Sequence, residues 1–124
     1  MNAVSTQNAP AAIGPYSQAI EVNGTVYVSG QIPINPAAGV IEAADIEGQT
    51  RQSLINIGEI LKAAGLGYEN VVKTTVLLAD ISEFAAMNDV YAEFFTAPYP
   101  ARAAFQAAAI PKGAKVEIEA VAVR

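Results

Sequence analysis

KVEIEAVAV, residues 115–123, alternates as a strand does, yet it is apolar on both of its faces. In an extended chain Val116, Ile118, Ala120 and Ala122 fall on one side, and Glu117, Glu119, Val121 and Val123 on the other. NVVKTTVLLA (70–79) repeats the pattern in its β-branched run. Strands of this kind are expected where both faces of a sheet are covered. The rest of the chain offers two stretches with helical spacing, which is enough cover for one face only. The second layer then has to come from further copies of the chain, so the expectation is a homo-oligomer whose sheets face inward.

Working outward, residues 114–123 and 102–110 read as two final strands, split by the turn Pro111-Lys112-Gly113. Residues 18–23 and 25–30 read as two strands joined at Asn23-Gly24, a strong hairpin signal. The stretch after them, QIPINPAAG, is punctuated by Pro33, Pro36 and Gly39 as a loop is. From Asp45 to Gly65, Leu54, Ile57, Leu61 and Ala64 share one helical face, while Gln52, Asn56 and Glu59 lie opposite. After the strand at 70–79, Asp80 and Glu83 form a capping-box-like start to a second helix running to about Phe95. The order is β-β-α-β-α-β-β, an α+β fold with two helices on one face of a sheet. At 124 residues this is one domain, 1–124.

Composition narrows the chemistry. There is no histidine and no cysteine, so imidazole relays, thiolate nucleophiles, disulfides and histidine metal sites are all excluded. The formal net charge is −5, and Lys62, Lys73, Lys112 and Lys115 are scattered, which counts against a nucleic-acid surface. The N-terminal stretch has no cationic region, and Pro10 and Gly14-Pro15 interrupt it, so it is not read as a targeting peptide. No apolar run is suited to spanning a membrane. A soluble protein of the cytoplasm is expected. Only 15% of residues are charged and 52% are apolar, where a small monomer carries about 25% charged residues. That excess again favours burial against other copies.

Few residues are left to carry a reaction. In FFTAPYPARAAFQAAAIP (94–111) Arg102 is the one ionised side chain. One reading makes it a structural ion pair with Glu117 or Glu119 on a neighbouring strand. The other makes it a carboxylate or phosphate receptor, since a guanidinium fork binds such anions bidentately. Glu117 and Glu119 share a sheet face with Val121 and Val123. They are either solvated at an edge or half-buried, with a proton affinity raised toward neutral pH. Asn88 falls within the stripe Phe84, Met87, Tyr91 and Phe95, where an amide needs hydrogen-bond partners. Ser29-Gly30 closes a strand with a hydroxyl and a bare backbone that a small ligand can approach.

IGPYSQAI (13–20), VSGQIP (28–33), VVKTTVLLAD (71–80) and YPARAAFQAAAIPKGAKVEIEAVAV (99–123) together resemble the Rid (reactive intermediate deaminase, YjgF) family. The likeness runs from about Ser5 to Arg124. It implies a chorismate-mutase-like fold assembled as a homotrimer, with active sites in clefts between subunits. The implied reaction is hydrolysis of 2-imino acids such as 2-iminobutanoate and 2-iminopropanoate, with no cofactor and no metal. Such imines are released by pyridoxal-phosphate enzymes, which gives a functional link to them. By the resemblance, Arg102 grips the substrate carboxylate with help from the Gly30 backbone, and Glu117 handles the attacking water. Tyr16, Ser29 and Asn88 line the pocket, and Ala104 contributes through its backbone where many members carry cysteine. Alternatives are an endoribonuclease or translation inhibitor, and a non-catalytic small-carboxylate-binding or holdase-like protein.

Overall fold

The computed structural model describes residues 1–124. Strand β1 is Asn2–Val4, β2 Ala19–Val22 and β3 Thr25–Gln31; a small ribbon follows, β4 (Ile34–Asn35) with β5 (Val40–Ile41). Helix α1 spans Ile46–Ala63, β6 Val71–Leu78, α2 Phe84–Tyr91, β7 Ala101–Gln106 and β8 Val116–Val123. Six strands form one sheet in the order β1-β2-β3-β8-β6-β7.

Asn23 and Gly24 both take positive φ, as the β2–β3 hairpin requires. Asp45 caps α1 by accepting from the Gly48 N–H at 2.8 Å. Of the apolar face read for α1, Leu54, Ile57 and Leu61 are fully buried together with Ile60, while Ala64 lies just past the helix end and is half-buried. They meet Val26, Val76, Ile118 and Ala122 from the sheet in one core. The alternation of β8 holds too, with Val116, Ile118, Ala120 and Ala122 buried under the helices.

Four details depart from the reading. Residues 2–4 add an edge strand on β2, and Ile34–Asn35, in the stretch read as a loop, pairs with Val40–Ile41; pieces this short carry too weak a pattern to announce themselves. Asn56, placed on the polar side of α1, is fully buried. Its Nδ2 donates to Ile34 O at 3.0 Å and Ile32 O at 3.4 Å, so it pins the loop after β3. The second helix opens as a 3-10 turn over Ile81–Glu83, with Asp80 accepting from the Ser82 N–H; Glu83 reaches toward Lys115 (3.7 Å) instead of closing a capping box. It ends at Tyr91, where the bonds tighten to three-residue spacing, and Phe95 enters the core from the following turn.

The fourth departure matters most. The last two strands are not neighbours. The β6-α2-β7 crossover lays β7 parallel to β6 at the sheet edge, and β8 inserts between β3 and β6. β7 stops at Gln106 because β6 has ended; the Ala107 N–H bonds Leu78 O as the last rung.

Cross-strand register assigns the faces. Arg102, Ala104 and Gln106 pair with Thr74, Val76 and Leu78, the side under the helices. Glu117, Glu119 and Val121 pair with Leu77, Thr75 and Lys73, on the side without helices. That open face also carries Tyr27 and Phe105, each 51% exposed, and Val123.

Candidate active site

The Arg102 side is assembled by three elements. β7 brings Arg102 to the sheet edge on the helix side, and α2 lays Phe84, Asn88 and Tyr91 along one face at helical spacing. The Asn88 Oδ1 accepts from the guanidinium Nη1 at 2.7 Å. The guanidinium carbon lies 4.7 Å from the Tyr91 ring centre and 5.4 Å from that of Phe84. Asn88, Tyr91, Ala92, Tyr99, Pro100 and Arg102 line a cleft of about 460 Å³.

No carboxylate of the chain pairs with Arg102. The ion pairs are Arg51–Glu93, Lys115–Glu83 and Arg124–Glu21. A bond from Arg102 to Glu117 or Glu119 is ruled out by topology, because β6 separates β7 from β8 and the side chains leave opposite faces. The structural ion-pair reading of Arg102 is therefore wrong. Within one copy the guanidinium is also exposed rather than dry.

The Glu117 side lies elsewhere. A cleft of about 710 Å³ is lined by Tyr16, Ser29, Gly30, Lys112, Glu117 and Glu119, with Ile13, Ile32 and Ile34 supplying apolar wall. The β3–β8 ladder is irregular between Val28 and Gln31, which sets Ser29-Gly30 beside Glu117. Contact there is close: a Cβ on Gly30 would fall 2.9 Å from the Glu117 carboxyl carbon and nearer still to Oε2. Burial pushes the Glu117 carboxyl above the ordinary range, and the charge of Glu119 adds to the shift. Ser29 Oγ donates to Ser17 O at 2.6 Å and the Ser29 N–H to Gln18 O at 2.9 Å, so this serine ties down the segment that carries Tyr16.

The seven residues singled out thus fall into three places. Tyr16, Ser29, Gly30 and Glu117 share one cleft, Arg102 and Asn88 share another, and Ala104 lines neither. Sequence reasoning missed Tyr91 and Phe84 as partners of Arg102, although both flank Asn88 in the stripe already noticed. It also missed Lys112 at the rim of the Glu117 cleft, held at φ +59°. No group of three or more acidic side chains is placed to hold a metal ion, and no helix is long and apolar enough to cross a membrane.

A sheet with two helices on one side, exposed apolar side chains on the other and two separate polar clefts defines a small α+β protein. Residues 6–124 match the family model Endoribonuclease L-PSP, and the chain belongs to that family, the Rid proteins. It is 58% identical over 121 residues to the 2-iminobutanoate/2-iminopropanoate deaminase of Capra hircus, covering 98% of this chain and 88% of that protein. The crystal structure of Escherichia coli TdcF with bound serine superposes with a TM-score of 0.96 at 46% identity, covering 100% of this chain and 99% of that one. The Escherichia coli YjgF structure gives a TM-score of 0.96 at 47% identity, covering 100% and 99%.

Proposed function

We propose that this chain hydrolyses short 2-imino acids, 2-iminobutanoate and 2-iminopropanoate among them, to 2-oxo acids and ammonia. The observation that carries the reading is Arg102, a guanidinium held by an amide and two aromatic rings with no carboxylate of its own chain. Such a fork is completed by an anion that arrives with the ligand. The deaminase name of the Capra hircus relative and the serine bound to TdcF, a small amino acid with a carboxylate, favour the same ligand class.

The site we propose lies between copies. Arg102 and Asn88 of one subunit would meet Glu117, Gly30, Ser29 and Tyr16 of the next, in a homotrimer whose apolar sheet faces turn inward. Joining copies would dry both clefts and cover Tyr27 and Phe105. Drying strengthens the pull of Arg102 on a carboxylate. The family role given to Ala104, contact through its backbone, belongs to the same seam.

The chemistry asks little of the protein. The protonated imine is already electrophilic, and a clamped carboxylate fixes its C2 beside a water held at Glu117. Glu117 takes a proton as the water oxygen bonds C2, giving a tetrahedral carbinolamine. It gives that proton to the nitrogen, the C–N bond breaks and ammonia leaves, and the hydroxyl on C2 hands its own proton back to Glu117 as the C=O of the 2-oxo acid forms. A carboxyl with raised proton affinity suits both transfers. The setting we propose is the cytoplasm, beside pyridoxal-phosphate enzymes that release such imines.

The test generates 2-iminobutanoate with threonine dehydratase in the presence of semicarbazide. Added protein should divert the imine from the semicarbazone to 2-oxobutanoate. An unchanged semicarbazone yield across protein concentrations would refute the activity, and a monomer at low micromolar concentration would remove the shared cleft. The family description also names endoribonuclease activity. The net charge of −5 weighs against an RNA surface, and RNA incubated with Arg102→Ala beside the wild type separates that reading from contamination.

A further inference from the structure

We infer that Thr74 and Tyr91 are positioning residues that hold the Arg102 guanidinium in its binding orientation. Thr74 Oγ1 and Tyr91 Oη are 2.7 Å apart, and both residues are buried. Thr74 stands on β6 directly beside Arg102 in the parallel ladder. Tyr91 reaches down from α2, bonds that threonine and lays its ring 4.7 Å from the guanidinium carbon. The three side chains form a closed frame across strand, helix and neighbouring strand.

Packing alone does not call for this pair. Tyr91 meets Phe95 with ring centres 4.6 Å apart, a contact that phenylalanine would make equally well. A threonine at a position otherwise given to Val76 and Leu78 on the same face of β6 buries a hydroxyl where an aliphatic side chain would suffice. The two hydroxyls satisfy each other, and their joint effect is to fix the tilt of the ring under Arg102. Arginine on an exposed edge loses much rotamer freedom when it grips a ligand. A ring on one side and the Asn88 oxygen on Nη1 remove part of that loss beforehand, leaving Nε and Nη2 without partners in the chain.

The kinetic consequence rests on Arg102 being the carboxylate receptor; the structural one does not. Arg51, Arg102 and Arg124 are the arginines of the chain, so the Arg102 side-chain nitrogen resonances can be assigned by their loss in Arg102→Lys. In the wild type, rotation about the Arg102 Nε–Cζ bond should be slow. It should quicken in Thr74→Val, in Tyr91→Phe and in the double variant, and Thr74→Ser should restore it. The double variant keeps both positions apolar and leaves no hydroxyl orphaned, so it folds without the penalty of either single change. Its KM for 2-iminobutanoate should rise roughly fivefold, the weight of one ordinary hydrogen bond, with kcat little changed.

In an Arg102→Lys background the same changes should leave KM where it stands, because their effect passes through the guanidinium. Equal Arg102 rotation in wild type and double variant would overturn the assignment. So would faster rotation with an unmoved KM. A wild type without deaminase activity would sink the reading of function instead, and the rotation comparison would then decide this assignment alone.

Discussion

Arg102 and Glu117 leave opposite faces of the sheet, on the two strands that flank β6. A small molecule cannot touch both within one copy of the chain. No carboxylate lines the Arg102 cleft, and no arginine lines the Glu117 cleft. If both serve one reaction, each working site takes its halves from different copies.

That division can be tested by mixing. Arg102→Ala and Glu117→Gln should each be nearly inactive alone. Unfolded together and refolded, or co-expressed, they should recover activity, because an Arg102 from one variant can face a Glu117 from the other. Random assortment in a closed ring restores about one quarter of the sites. A mixture no more active than its components would show that Arg102 and Glu117 do not share a site between copies.

Arg102→Lys keeps the charge and loses the planar fork. One charge-assisted hydrogen bond is worth about 1.5–3 kcal/mol, so kcat/KM should fall by roughly tenfold to a hundredfold. Calorimetry with 2-oxobutanoate should show the matching loss of affinity. Near-wild-type values in both measurements would mean that only the charge of residue 102 matters.

The legible part of this fold was the part written in periodicity. The alternation of 115–123, the stripe Leu54-Ile57-Leu61 and the Asn23-Gly24 turn each state a local geometry, and each appears as read. Strand neighbours are a different kind of fact. Whether residues 101–106 pair with β8 or with β6 depends on the crossover through α2, and no side-chain pattern in 101–106 records it. Asn56 was misread for a related reason. An amide on a helix looks polar and outward until a loop, here Ile32 to Ile34, brings it carbonyls to bind. The candidate residues are legible singly, mostly through the family resemblance. Their separation into two clefts is a property of topology alone.

Glu117 should govern the acid limb of the activity. Burial and then Glu119 raise its carboxyl above the ordinary glutamate range, so kcat/KM should climb with pH at a midpoint displaced upward. Glu119→Gln removes a neighbouring negative charge, favours ionisation and should move that limb toward lower pH. Stability carries the opposite sign. A carboxyl whose folded value is raised contributes most when protonated, and that contribution is lost as pH rises through the folded value. Glu117→Gln should therefore melt higher than wild type at neutral pH and level with it near pH 4, while losing activity throughout. Melting curves at both values check the first claim, and an unshifted limb in Glu119→Gln would remove the coupling.

Gly30 is close to Glu117 for a reason that alanine can expose. No unusual φ is required at residue 30, so alanine is conformationally acceptable there. Its Cβ, however, would enter the space of the Glu117 carboxyl group, 2.9 Å from Cδ. The glutamate is the softer partner and should swing away from the strand, carrying its proton-transfer position with it. A displacement of about 1 Å at a reacting group costs on the order of a hundredfold, so Gly30→Ala should lose most of its kcat while keeping its fold and its affinity for 2-oxobutanoate at the Arg102 end. Glu117→Asp in the Gly30→Ala background shortens the side chain by one methylene and should regain part of the loss. A Gly30→Ala protein with full kcat would mean that the carboxylate does its work from some other position than against β3.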